Sequence, residues 1–266
     1  KFVAEFIGTF FLVLFICGIQ MVDVYSATEL GVDDVNLISK GIIGGFVLAG
    51  LIYAFGGTSG CHLNPVVTFA FFLRGVFDIR FIVVYWAAQI AGAVSAAAVL
   101  LGMFGDIGNL GMTAPSTTNE LAFGAEILIT FILLTVILST TEKAEILGPQ
   151  SALAVGSVFG ALLLFAWNTS GASANPFRSL GPAIIGNTGW DTIWIYIVGP
   201  IIGMLLAVIV QRVIAPPRNI EAEKCSARGS KKKGPSTADI GERRRKSIAD
   251  LENRRRQSRA DNEIPV

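Results

Sequence analysis

The sequence predicts an all-α membrane protein of six transmembrane helices plus two re-entrant half-helices, built as an inverted internal repeat. Three observations predict it. Apolar residues make up 52% of the 266 residues and charged residues only 15%, and no charged residue occurs from Gly41 to Leu73. Six apolar stretches, roughly Phe2–Val22, Ile38–Phe55, Phe81–Phe104, Leu121–Ser139, Ser151–Trp167 and Ile193–Ile214, each approach the ~20 residues that cross a hydrocarbon core. One motif occurs twice: Ser-Gly-Cys-His-Leu-Asn-Pro-Val-Val-Thr at 59–68 and Ser-Gly-Ala-Ser-Ala-Asn-Pro-Phe-Arg-Ser at 170–179. A soluble helical bundle would not need six such runs.

The elements follow in order. The first span carries Glu5. The loop Val22–Ser39 holds Asp23, Glu29, Asp33 and Asp34 with no base before Lys40. The second span looks short, as expected of a helix that hands over to a re-entrant loop, and Pro65 opens an apolar stretch too short to cross. After the third span, Gly105–Glu120 carries Asp106 and Glu120 and again no basic residue. The fourth span carries Glu126, the fifth is short like the second, Pro176 opens a second half-helix, and the sixth span closes the domain.

The duplication extends beyond the motif. Ala4-Glu5-Phe6-Ile7-Gly8-Thr9-Phe10 matches Ala125-Glu126-Ile127-Leu128-Ile129-Thr130-Phe131, and Gly45–Phe55 resembles Gly156–Ala166. Repeat 1 covers about 1–115 and repeat 2 about 119–215, within a transmembrane domain over 1–217. Three spans per half is an odd number, so the halves lie in the membrane with opposite orientation. The glycines Gly45, Gly92, Gly156 and Gly203 are expected at close helix contacts.

Charge orients the chain. Residues 218–266 hold 14 Lys and Arg against 8 Asp and Glu, a balance of +6 in a chain of net charge +1. This basic, aromatic-poor tail is expected to be disordered and cytoplasmic, and six spans put the N-terminus on the same side. Arg74, Arg80, Lys143 and Arg212 then fall at inner ends, the acidic loops lie outside, and Lys40 is the exception. Cys17, Cys61 and Cys225 do not imply a disulfide framework.

Asn64-Pro65 and Asn175-Pro176 carry the chemistry. Asn is a favoured N-cap, and Pro suits the first helical position because its missing N–H would be unpaired there. Two helices starting at mid-membrane aim two amides and two partial positive charges at one spot. A passing water would turn its oxygen to both amides, which breaks a proton wire, while the dipole ends repel cations.

These motifs resemble those of the aquaporin and glycerol-facilitator family over about 1–215. His62-Leu63-Asn64-Pro65 with Thr68 is similar to its first pore loop, and Asn175-Pro176-Phe177-Arg178-Ser179-Leu180-Gly181-Pro182-Ala183 to its second. The usual Ala after each Pro is replaced by Val66 and Phe177, which raises the question of pore width. The resemblance places Arg178 in a selectivity filter and, by spacing, adds Gly44, Leu163 and Ala172. Orthodox water channels usually have Phe and His at the first two positions, so this ring is expected to be wider and less polar. Ser179 stands where glycerol channels of the family typically carry Asp. The resemblance also implies that Glu5 and Glu126 accept hydrogen bonds from the pore loops, and that His62 lies near the inner side of the pore. His62 is either a pH sensor or a neutral structural group. Cys61 is either a mercurial site or an inert thiol.

In the tail, Arg244-Arg245-Lys246-Ser247 and Arg255-Arg256-Gln257-Ser258 suit a basophilic kinase, so Ser247 and Ser258 are candidate phosphorylation sites whose charge would loosen contact with anionic membrane lipid. Cys225, close to the last span, is a palmitoylation candidate. No nucleophile–base set, metal-ligand cluster or nucleotide motif accompanies the spans, which excludes an enzyme and implies no metal, no cofactor and no nucleic-acid partner. The expected protein is a passive channel for water and small neutral solutes such as glycerol or urea, excluding protons and ions. By resemblance it is a homotetramer, and it is placed in the plasma membrane. The rival is a non-conducting scaffold or signalling protein of the same fold, which Phe177 would favour if it closed the pore.

Overall fold

The computed structural model describes residues 1–31, 37–142 and 150–215. Ser247, Ser258, Cys225, Lys143, Asp33 and Asp34 lie outside the described residues. Among those described, six long helices are apolar and span at least 21 residues each: α1 (Phe2–Tyr25), α2 (Leu37–Ser59), α4 (Ile82–Phe104), α5 (Asn119–Glu142), α6 (Gln150–Ser170) and α8 (Ile193–Ile214). Two are short: α3 (Pro65–Leu73) with 9 residues and α7 (Pro176–Gly186) with 11. Helices are the necessary solution in lipid, because each satisfies its own backbone polar groups.

Several helix ends differ from the sequence expectation, with α1 running to Tyr25 and α5 from Asn119 to Glu142, and two of them shape the site. The second and fifth spans do not stop at Phe55 and Trp167 but continue to Ser59 and Ser170. The polar ends Gly-Gly-Thr-Ser and Asn-Thr-Ser read as loop, yet they stay helical until Gly60 (φ 89°) and Gly171 (φ 81°) turn the chain left-handed. Glycine enters that region at no steric cost, which makes it a natural helix terminator.

The packing repeats the duplication. α1 packs on α4 as α5 packs on α8, and α1 on α2 as α5 on α6. α7 lies against α4 as α3 lies against α8, while α2 meets α6 and α3 meets α7 across the pseudo-axis. Small residues set these approaches. A methyl added at Gly45 would lie 2.7 Å from the Gly156 carbonyl oxygen, and one at Gly156 would lie 2.5 Å from that of Gly45. Gly92 and Gly203 do the same at α1–α4 and α5–α8, where a methyl would meet the Phe6 oxygen at 2.5 Å and the Ile127 oxygen at 2.4 Å. In lipid, helix association rests on this kind of close backbone contact. Gly45→Ala is therefore expected to push α2 from α6 and to destabilise by about 1–3 kcal/mol, the usual overpacking cost. A lowered midpoint of thermal unfolding in detergent, against wild type, checks it.

Candidate functional site

Both re-entrant loops have one backbone design. Gly60, Cys61 and Leu63 have φ of 89°, 51° and 51°; Gly171, Ala172 and Ala174 have 81°, 50° and 49°. Left-handed Cys, Leu and Ala residues cost energy, so the surroundings must impose them. Glu5 and Glu126, both fully buried, do so. Glu5 accepts from the backbone N–H of His62 (3.0 Å) and Leu63 (2.8 Å), from the Ser59 hydroxyl (2.6 Å) and from the Gln89 amide (2.8 Å). Glu126 accepts from the backbone N–H of Ser173 (2.9 Å) and Ala174 (2.8 Å) and from the Ser170 hydroxyl (2.7 Å). Hydrogen bonds to an ionised acceptor are the strong kind, and here they repay the burial of two carboxylates.

Tyr85 and Tyr196 complete the pair. Each hydroxyl donates at 2.7 Å to the last helical carbonyl before a loop, that of Ser59 or Ser170. Sequence reasoning missed both tyrosines, although they share the 111-residue spacing of the two Asn-Pro pairs.

The loops bring the two Asn-Pro starts together. The Asn64 side-chain oxygen accepts from the Val66 N–H at 3.1 Å and caps α3; that of Asn175 accepts from Phe177 (3.1 Å) and Arg178 (3.4 Å) and caps α7. The amide nitrogens cross over: Asn64 Nδ2 donates to the Ala174 carbonyl at 2.7 Å, and Asn175 Nδ2 to the Leu63 carbonyl at 2.9 Å. Each NH2 keeps a second N–H. Both asparagines line a cavity of about 310 Å³ that also meets Cys61, His62, Ser173 and Arg178, and that runs toward Thr140, Thr141 and Ser151. At ~30 Å³ per water, that volume holds roughly ten waters.

Arg178 lies at one end of this cavity and is 1% exposed. Its Nη1 donates to the Gly111 carbonyl at 2.9 Å, while Nε and Nη2 have no protein partner. Gly111 ends a tight turn, Gly108–Gly111, in which all four residues have positive φ. Thr113 just beyond it shares a hydroxyl contact of 2.6 Å with Ser179, which also meets the Ser173 hydroxyl at 2.6 Å. Ser179 therefore ties the second loop to the chain that holds Arg178.

The other expected filter positions are buried. Ala172 is packed in the apolar core, and the Leu163 side chain lies over Gly44, with Cδ1 2.2 Å from where a Gly44 methyl would sit. Leu163 thus fills the room that Gly44 leaves.

His62 stacks on Phe71 at 4.8 Å between centroids, and its Nδ1 meets Thr68 Oγ1 at 3.1 Å. That hydroxyl donates to the Asn64 carbonyl and accepts from Gln89. Nδ1 must then carry the proton, which leaves Nε2 as an acceptor.

Val66 and Phe177 require a correction. The sequence placed both in the pore motifs and let Phe177 threaten the width. Neither lines the cavity. Both face a separate apolar groove with Trp86, Leu180 and Met204, on the far side of the half-helices. The residue after each Asn-Pro is two positions past the cap, which turns it from the pore toward the neighbouring helices.

Among the described residues, no cluster of His, Cys, Asp and Glu is arranged to hold a metal ion. The model of one family, the major intrinsic proteins, matches residues 1–211. Aquaporin NIP2-1 of Zea mays is 36% identical over 205 residues, covering 77% of this chain and 68% of that protein. Glycerol uptake facilitator protein-like 6 of Lactiplantibacillus plantarum is 35% identical over 220 residues, covering 80% of this chain and 97% of that protein. The aquaglyceroporin of Plasmodium falciparum has a similar solved structure, with a TM-score of 0.68 at 27% identity over 81% of this chain and 96% of that one.

Proposed function

The chain belongs to the major intrinsic protein family, and on that premise we propose that it is a passive channel for water and small neutral solutes such as glycerol, and not an enzyme. One observation carries this reading. Two crossed asparagine amides meet a cavity with room for a file of waters, which ends at an arginine whose Nε and Nη2 have no protein partner. A water at the midpoint accepts from the spare N–H of Asn64 and of Asn175. Its own hydrogens then point away along the file in both directions, so no proton relay passes. The N-termini of α3 and α7 each add roughly half a positive charge, which opposes cations. At the filter, Nε and Nη2 of Arg178 offer donors to a hydroxyl or carbonyl, against the apolar wall of Leu163, Ala172 and Gly44. Glu5 and Glu126 hold the loops in register, and His62 braces the first loop from the side.

The wider setting is part of the same reading. The protein is a multi-pass membrane protein; we place it in the plasma membrane as a homotetramer with both termini cytoplasmic. The domain boundary lies near 217, and the basic tail meets anionic lipid until a kinase modifies Ser247 and Ser258.

Stopped-flow light scattering on proteoliposomes tests the function, with water and glycerol gradients on one preparation. Shrinkage and glycerol re-entry both faster than in empty liposomes are expected. No flux from folded, inserted protein would overturn the channel in favour of a scaffold. The same assay reads Cys61, whose thiol borders the cavity. Mercuric chloride is expected to cut water flux at least fivefold. Cys61→Ser should abolish that block, while Cys17→Ser and Cys225→Ser should keep it.

A further inference from the structure

The cavity wall has a register that continues beyond the cavity. On α2, Leu48, Ile52 and Gly56 line it, and on α6, Ser151, Val155 and Phe159 do. Both stripes step by four residues, which keeps one helix face toward one line. The next step toward the Arg178 end is Gly44 on α2 and Leu163 on α6, and these two are in contact. One more step gives Lys40 and Trp167. They too are in contact, with the Lys40 ammonium 5.3 Å from the centroid of the Trp167 ring. Lys40 also forms a close ion pair with Asp23 at the end of α1, the helix that brings Leu12 and Ile16 to the cavity.

Burial shows where these groups point. Lys40 is 7% exposed and Asp23 8%, although both lie near helix ends. A lysine at a helix end ordinarily reaches outward to water or headgroups; this one is turned into the bundle. The ion pair and the ring fix its long stem, so the layer is rigid as well as bulky. The level inside it is built from glycine, alanine and one leucine beside Arg178. On each helix the largest side chain of the register therefore stands one helical turn outside the filter: Lys40 on α2 and Trp167 on α6.

We propose that Lys40, Asp23 and Trp167 form a second selectivity layer at the Arg178 mouth of the pore, which sets the upper size of the neutral polyols and amides that enter. The inference rests on the channel reading. The layer acts in series with the filter. A solute reaches Leu163, Ala172 and Arg178 there only after passing the Lys40 stem and the Trp167 ring. Asp23 is a positioning residue, since it holds the ammonium against the wall.

The test uses the full chain in proteoliposomes, with water, glycerol and erythritol gradients run on wild type, Lys40→Ala, Lys40→Met and Trp167→Phe. Lys40→Ala is expected to raise the glycerol-to-water permeability ratio at least threefold and to admit erythritol. Lys40→Met keeps most of the stem but loses the Asp23 pair that fixes it, and is expected to raise the ratio by clearly less than Lys40→Ala, which separates bulk from charge. Trp167→Phe trims the other wall and should raise the ratio by a smaller factor, and it serves if Lys40→Ala does not fold. An unchanged ratio in a monodisperse Lys40→Ala, or in Trp167→Phe where that is the folded variant, would overturn the layer. A rise in Lys40→Met equal to that in Lys40→Ala would overturn the size mechanism. Wild-type protein without water flux would instead sink the channel reading on which the layer rests.

Discussion

Glu126→Gln should abolish most water flux and lower the yield of folded protein, although it changes one atom. The carboxylate accepts at both oxygens, from the Ser170 hydroxyl and the Ser173 N–H on one and from the Ala174 N–H on the other. A glutamine offers one acceptor and one NH2. Whichever way it turns, its NH2 faces a backbone N–H that has nowhere else to donate. A buried donor left unpaired costs about 1–3 kcal/mol, and the one acceptor within reach of the NH2 is the Ser170 hydroxyl, which already accepts from the Ala172 N–H. The left-handed residues Ala172 and Ala174 lose the contact that imposes their conformation, so the second loop relaxes and Asn175 leaves its place opposite Asn64. Flux per folded protein should fall at least tenfold, measured by stopped flow after counting protein in the liposomes. Glu5→Gln is the internal control and should be milder. Gln89 has an unpartnered side-chain oxygen, and by flipping its amide it can accept from the new NH2. A Glu5→Gln loss as large as that of Glu126→Gln would contradict this account.

The same two carboxylates show what a sequence does and does not reveal. Their positions were legible because a buried charge in an apolar stretch demands a partner, and its recurrence in both halves marks a repeat. The six spans, the two half-helices and their Asn caps were legible for a related reason. Lipid leaves the backbone few options, and Asn-Pro at the head of a short apolar run is a strong local signal. What stayed hidden depends on direction rather than residue type. Phe177 read as an obstruction because sequence gives its size but not the helical step that turns it from the pore. Gly44 read as a gap because nothing in its own segment says that Leu163, on another helix, lies over it. The ends of α2 and α6 were placed too early because polarity was taken for loop, whereas the chain breaks only where glycine permits positive φ. Lys40 looked like an exception to the charge pattern, and its partner Asp23 lies across a loop from it.

Arg178→Val should turn an ion-tight channel into a leaky one. The guanidinium is buried at one end of the cavity, tied to Gly111 by Nη1 alone. A cation ~4 Å from a fixed positive charge meets roughly 4 kcal/mol at an effective dielectric constant of ~20. That corresponds to about a thousandfold in occupancy, at ~1.4 kcal/mol per factor of ten. Removing the charge leaves only the two half-helix dipoles and the crossed amides as barriers. They still interrupt the proton wire but oppose other cations weakly. Potassium flux in Arg178→Val liposomes is therefore expected to rise at least tenfold, and proton flux, followed with a trapped pH dye, by less. Arg178→Lys separates charge from geometry. It restores a positive charge, so it should keep potassium out. An ammonium cannot present the planar fork that holds Gly111 and still offers two N–H groups to a solute. The glycerol-to-water ratio should therefore fall in Arg178→Lys while ion exclusion survives. Equal leakage in the two variants would mean that the arginine acts by shaping the Gly108–Gly111 turn and not by its charge.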